Sequence, residues 1–194
     1  IARACFIEPL SCVLHALDIF QLTFDTPILI NGMGSIGTMM VFYLKLILHF
    51  KNIYVNEINI SRLNNILQCF EVKQYDINQV PPTHIIECTN DVDGTKNMIR
   101  LAPQGASMCI MSHLYGENTS FIYEEISHKE IHPCFPLRNG DSTNIYRAID
   151  YIEKYWNSKM DVLYHISSNI NETFQTKKQN LFNKQIIDLQ NAFS

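Results

Sequence analysis

No apolar run in the 194-residue sequence reaches the roughly 20 residues that a bilayer-spanning helix needs, so no membrane partner is expected. Charge is sparse, with 18% Asp, Glu, Lys and Arg and a net charge of −4, and no basic block offers a nucleic-acid footprint. Six cysteines (Cys5, Cys12, Cys69, Cys88, Cys109 and Cys134) include no C-x-x-C pair. Several fall in apolar runs, which fits reduced, buried thiols in a cytoplasmic protein. The seven histidines are dispersed without ligand spacing, and no Ser-His-Asp or Cys-His arrangement can be argued. Internal repeats and low-complexity runs are missing as well. What remains, at 46% hydrophobic residues, is a soluble globular composition, long enough for one domain with room for an appendage.

Glycine is also scarce, yet three of the seven glycines fall within six residues. The stretch Pro27 to Gly37 reads P-I-L-I-N-G-M-G-S-I-G. Ile28-Leu29-Ile30 has the length and branching of a buried strand, and it stops at Asn31. Gly32, Gly34 and Gly37 then form G-x-G-x-x-G. The first permits a tight turn, the second lets backbone approach a pyrophosphate, and the third lets the following helix pack on the strand. That helix starts near Ser35 and carries Ile36, Met40, Tyr43, Leu44, Ile47 and Leu48 on one face. Its first N–H groups, those of Ser35 and Ile36, suit an anionic ligand. A second strand, Ile53-Tyr54-Val55, ends before Glu57, twenty residues after Gly37, where such units place a carboxylate for ribose hydroxyls. The pattern predicts an α/β, doubly wound parallel sheet (a Rossmann fold) that binds a dinucleotide. A glycine-tightened turn without a ligand and a methyltransferase share parts of the same pattern.

Upstream, Ala4 to Phe20 reads as a helix interrupted early by Pro9, with Leu10, Val13, Leu14 and Leu17 on its apolar face. Glu8 to Ala16 reads E-P-L-S-C-V-L-H-A. This segment, a short spacer, a strand and G-x-G-x-x-G resemble the medium-chain dehydrogenase/reductase family, and its polyol branch of zinc alcohol dehydrogenases in particular. The resemblance implies NAD as cofactor, with zinc in the full-length enzyme only, and a small-molecule substrate. It further implies that Glu57 binds ribose hydroxyls, that Ile58 packs on adenine and that Arg62 lies along the adenosine edge, from the stretch E-I-N-I-S-R. An acid at position 57 disfavours the 2′-phosphate of NADP by charge repulsion, which Arg62 softens. Cys88 and Thr89, in E-C-T, fall where the family's chain passes the cofactor. Asn90 replaces a family glycine, and asparagine tolerates positive φ. Ser112 and His113 follow strand five, where family glycines are missing, and would reshape the nicotinamide pocket.

The remaining expected elements are a helix over 64–70, a short strand over 73–76, a strand over 84–89 and a helix over 92–101. A strand over 106–111, an edge strand over 131–135 interrupted by Pro133, and a helix over 142–156 capped by Asp141 or Ser142 follow. In the family that edge pairs with its copy in a second subunit, so a homodimer is expected. Pro136 to Gly140 is similar to the S-x-R-x-G turn of reductases acting on ribulose 5-phosphate, with only Arg138 and Gly140 matching. Arg138 is thus a candidate for a phosphate or a solvent-exposed turn residue. Ile170 to Phe174 resembles the family's short returning helix, and Lys184 to Leu189 its last strand. By the resemblance, Glu8 lies beside a catalytic zinc, although it equally suits the start of a helix dipole. The other zinc ligands would belong to an amino-terminal domain, since Ile1 opens in mid-stride and the sequence reads as a piece of a longer chain. The expected organisation is a linking helix over 1–25, the nucleotide domain over 26–160 and a return segment over 161–194. No catalytic residue is assigned.

Overall fold

The computed structural model describes residues 2–23, 26–76, 78, 82–112, 119–169, 173 and 183–188. The first strand, β1 (Ile28–Asn31), is buried at all four positions, as a central parallel strand must be. It pairs in parallel with β2 (Ile53–Asn56) and with β4 (His84–Glu87), Ile28 lying opposite both Ile53 and His84. With β3 (Lys73–Gln74), β5 (Ser107–Ile110) and β6 (His132–Cys134) the sheet runs β3-β2-β1-β4-β5-β6. Strand order reverses beside β1, and ligands of doubly wound sheets lie at that switch, outside the carboxyl ends of the strands.

Alternation along the strands supplies two cores. Ile28, Ile30, Ile53, Val55 and Ile86 join one apolar cluster with α1 (Ile7–Ile19), α2 (Ser35–Phe42), α3 (Ile60–Cys69) and α6 (Ser142–Tyr155). Leu29, Ile85, Met108 and Ile110 join the other, covered by α4 (Val92–Leu101) and α5 (Thr119–His128). In α1, Leu10, Val13 and Leu14 are wholly buried, each contributing about 1.5–3 kcal/mol of burial. A 3₁₀ turn over Ala2–Phe6 precedes α1 and lays Phe6 4.9 Å from the Trp156 ring.

Several elements differ from expectation. α3 begins at Ile60 rather than Asn64, because the Asn59 side chain caps it by accepting from Arg62 N at 3.0 Å. β3 spans two residues, not four. The segment after Ser35 keeps its inward face, but Tyr43–Ile47 widens into a π turn. α5 was not expected, although Ile122 and Ile126, four apart, form its buried edge. Asp141, not Ser142, caps α6. β6 takes the edge of the sheet, where Pro133 costs little ladder. A separate parallel pair joins β7 (Tyr164–Ser167) to β8 (Lys184–Ile187). β7 was not expected, and β8 stops short of the expected Leu189, which lies outside the described residues together with His113. Of the expected helix over 170–174, only Thr173 is described. All six cysteines are free thiols.

Candidate functional site

A cleft of about 1120 Å³ opens at the carboxyl ends of β2, β1 and β4. Gly32, Gly34, Glu57, Ile58, Arg62, Cys88 and Thr89 all line it, so the sequence candidates from three separate strand ends converge. Ser35, Ile36 and Gly37 begin α2 immediately behind. Ser112 lies one strand further along and accepts a hydrogen bond from Asn90 N at 2.8 Å, tying the end of β5 to that of β4. Asn90 takes the positive φ expected of it, at 56°. Glu8 stands apart from the cleft, exposed in the first turn of α1, where its carboxylate accepts from Cys12 Sγ at 3.3 Å.

The three glycines do different physical work. Gly32 has φ 90°, and a Cβ there would lie 2.9 Å from Thr89 N and Cγ2. At Gly37 a Cβ would lie 1.9 Å from the Gly32 carbonyl oxygen, so helix and turn touch backbone to backbone. Gly34 is the opposite case: a Cβ there meets nothing within 4 Å, and the space in front of it is the cleft. Gly34 is also the N-cap of α2 and offers no side-chain cap, so no side chain of the cap residue satisfies the helix's first N–H groups. An open cradle at an uncapped helix start fits a pyrophosphate.

Glu57 is only 2% exposed at its side chain and has three partners among the described residues. Oε2 accepts from Met33 N at 2.8 Å; Oε1 accepts from Asn59 N and from the Arg62 guanidinium, both at 2.8 Å. The carboxylate therefore holds the glycine turn itself and is ion-paired, while still forming part of the cleft wall. Arg62 keeps its Nε buried without a partner, an orphan donor beside the cleft. Ile58 is 94% exposed, an apolar surface available to a flat ring.

Sequence reasoning missed a polar rung under the cleft. Asn56, Asn31 and Glu87 are the last residues of β2, β1 and β4 and lie opposite one another. Asn56 Nδ2 donates to Asn31 Oδ1 at 2.7 Å, and Asn31 Nδ2 donates to Glu87 Oε2 at 2.6 Å. Glu87 Oε1 accepts from Thr89 N at 2.6 Å and from Thr89 Oγ1. Burial raises the Glu87 carboxyl above its ordinary pKa, against the opposing pull of the Asn31 and Thr89 donors, with Asp91 adding a further upward push. Burial likewise pushes the Cys88 thiol well up, with the Glu87 charge adding to it, which favours the protonated thiol. Gln74, Tyr75, Asp76, Asn97 and Arg100 also line the far end of the cleft and were not singled out by any motif. Asn183 is the other omission: it donates from Nδ2 to Met33 O at 2.6 Å, from 150 residues away. Arg138 is exposed, in a turn with φ 62°, away from the cleft lining.

The strand order, the glycine turn and the cleft together define a doubly wound domain of the dinucleotide-binding architecture. Among solved structures, the chain is similar to the L-idonate 5-dehydrogenase of Escherichia coli, with a TM-score of 0.76 and 16% identity over 96% of this chain and 56% of that one. It is similar to an E. coli short-chain alcohol dehydrogenase complexed with NADH (TM-score 0.69, 19% identity, 93% of this chain, 57% of that one). It is also similar to E. coli galactitol-1-phosphate dehydrogenase (TM-score 0.66, 17% identity, 88% and 54%). At these identities the likeness is one of fold, and the chain spans about half the length of those proteins. No protein-family model and no curated protein matches it. Among the described residues no three His, Cys, Asp or Glu side chains come together as a metal site, so Glu8 lacks companions within them. No helix of the described residues is long and apolar enough to cross a membrane.

Proposed function

We propose that this chain is the NAD-binding part of a zinc-type alcohol or polyol dehydrogenase. The whole enzyme would move a hydride between NAD(H) and a secondary alcohol or sugar-alcohol phosphate. The observation that carries the reading is Gly34, the one glycine of the motif whose missing side chain leaves open cleft and not a protein contact. In this reading the pyrophosphate meets the N–H groups of Ser35 and Ile36, the adenosine ribose lies toward Glu57 and Arg62, and adenine covers exposed Ile58. Thr89 and Ser112 then flank the path toward the nicotinamide. NAD supplies the hydride chemistry when bound; the chain's own residues bind it, orient it and set its electrostatic surroundings. Zinc, where the whole enzyme carries it, would take its remaining ligands from outside this chain, with Glu8 beside it.

The likeness to a dehydrogenase complexed with NADH and to a polyol-phosphate dehydrogenase supports this class. We further propose a cytoplasmic homodimer pairing through β6, and the domain limits expected from the sequence. The Asn90–Ser112 link, which bridges two strand ends where an open nicotinamide path is needed, favours a second reading, a non-catalytic nucleotide-binding or dimerisation module. Fluorescence titration of the chain with NADH and with NADPH tests the main reading. Saturable NADH binding is expected; a chain that binds neither nucleotide would refute the main reading and leave only the dimerisation module of the second.

A further inference from the structure

We propose that Asn31 and Glu87 are positioning residues, which hold Thr89 against Gly32 through the rung Asn56–Asn31–Glu87–Thr89 and so set the cleft where a dinucleotide crosses from β1 to β4. The proposal rests on the dinucleotide reading of that cleft. Three observations support it. The rung is continuous and one-directional, each amide donating toward Glu87, which receives Asn31 on one oxygen and Thr89 twice on the other. It is sealed from water at its centre, Glu87 being 0% and Asn31 3% exposed, so each missing donor leaves a buried acceptor unpaired. And it ends at a contact: Thr89 packs so closely on Gly32 that one added carbon would collide with its backbone.

Strand pairing does not need this rung. The backbone already ties the same strand ends, through Gly32 N to Asn56 O and Cys88 N to Asn31 O, both at 2.8 Å. What the side chains add is the placement of Thr89, whose backbone N–H and hydroxyl both donate to Glu87, the hydroxyl also accepting from Asp91 N at 3.2 Å. A leucine at position 31 would satisfy a merely structural core position at little cost. It would leave Glu87 Oε2 without its donor and free the carboxyl to turn, and Thr89 with it.

The adenosine end of the cleft, at Glu57, Ile58 and Arg62, lies off the rung's far side, so AMP and NADH report on different parts of it. Equilibrium titration of the intact chain with each ligand is the test. Asn31→Leu and Glu87→Leu should bind NADH about tenfold more weakly, the size of one buried polar contact, with AMP affinity unchanged. Glu87→Gln should stay within about twofold of wild type, because its carbonyl can face Thr89 while the two asparagine amides turn over. If the leucine variants fold poorly, a polar pair replaces them. Asn31→Asp places two carboxylates in contact and should lose NADH affinity. Adding Glu87→Gln to it rebuilds every link, with the carboxylate introduced on β1 receiving both amides, and should restore that affinity. Equal NADH binding by Asn31→Leu, parallel loss of NADH and AMP, or failure of the double variant to recover would each overturn the proposal. A wild-type chain that binds AMP without binding NADH would instead refute the dinucleotide reading, and the proposal with it.

Discussion

Gly34 and Gly37 belong to one motif, yet the structure separates what each does, and substituting them should separate stability from binding. A methyl group at Gly37 would lie 1.9 Å from the Gly32 carbonyl oxygen, with the Gly32 carbonyl carbon at 3.0 Å. Both neighbours are backbone, so no rotamer relieves the overlap, and α2 must move off β1 by more than ~1 Å to restore ordinary carbon contacts of about 3.5 Å. Overpacking typically costs about 1–3 kcal/mol where side chains can adjust; here they cannot, so Gly37→Ala should cost about 3 kcal/mol or more. For a chain of this length that lowers the midpoint of thermal unfolding by about 6–12 °C. At Gly34 the backbone is at φ −71°, open to any residue, and an added Cβ meets no atom within 4 Å. Gly34→Val should therefore unfold within a degree or two of wild type. Its side chain fills the approach to the first N–H groups of α2, and should weaken NADH by about 5- to 150-fold for about 1–3 kcal/mol of steric conflict. Circular-dichroism melts and NADH fluorescence titrations on the same samples decide the matter. If Gly34→Val melts as early as Gly37→Ala, or binds NADH like wild type, the two glycines do not divide these roles.

Glu57 next to a 2′-phosphate at ~4 Å would be repelled by about 4 kcal/mol at an effective dielectric of ~20, but its partner Arg62 offsets most of this. NADH should therefore be preferred over NADPH by about tenfold rather than a thousandfold, and Glu57→Gln should narrow that ratio; an unchanged ratio in competitive titrations would show that the carboxylate does not select. The Glu87 carboxyl, whose folded pKa is raised by burial, stabilises the fold fully only below the ordinary glutamate value of about 4.3, and that contribution is lost as pH rises through the folded value. The melting temperature of Glu87→Gln should thus gain on wild type as pH rises above the ordinary glutamate value of about 4.3, with Asp91 the neighbouring charge to hold constant; a gap that does not vary with pH would contradict the burial argument. Finally, light scattering should give about twice the 22.5 kDa chain mass, reduced by Cys134→Lys in β6, and a strictly monomeric chain at high concentration would remove the edge-pairing idea.

Much of the six-stranded sheet domain was legible because its elements carry their own signals. Ile28 to Asn31 is an apolar run closed by a glycine turn, α2 has its inward face, and Pro133 marks β6 as an edge strand. β7 carried a misleading signal: Tyr164-His165-Ile166-Ser167 alternates over only four residues, and its burial runs against that pattern, with Ile166 exposed and Ser167 buried, because the strand is set by segment 184–187 beside it. α5 was hidden differently: Ile122 and Ile126 are buried while Tyr123 beside them is 75% exposed, so its apolar residues do not mark one clean face. In the site, the glycines and Glu57 could be read from spacing alone. The rung could not, since Asn31 and Asn56 look like ordinary strand stops. Only the spatial order β2-β1-β4 turns them into neighbours of Glu87, and that order is a property of the sheet, not of any local pattern.

Met33, between the two cleft-lining glycines, shows how far apart in sequence the parts of one turn can be. Its N–H donates to Glu57 after β2, while its carbonyl accepts from Thr38 Oγ1 in α2 at 3.3 Å and from Asn183 just before β8. Asn183 is held in turn by Asn65 of α3, which donates to its Oδ1 at 3.3 Å, and its own carbonyl accepts from Ser35 Oγ at 3.3 Å. The turn is therefore fixed on both its donor and its acceptor side before any ligand arrives, a preorganisation that lowers the ordering cost of binding. It also changes what an acid at position 57 is for. A carboxylate offers about four lone-pair positions, and three are already used, by Met33, Asn59 and Arg62. Among the described residues one is left over, and in the proposed reading it would serve a ribose hydroxyl, so the side chain that would recognise the sugar also shapes the glycine turn. A serine at position 57 would abolish both roles at once, and its effect on cofactor choice could not be told from a collapsed turn. Glutamine keeps an acceptor for Met33 but turns its NH2 toward the Asn59 and Arg62 donors, so Glu57→Gln disturbs the turn less than serine does and reports selectivity where its melting temperature matches wild type.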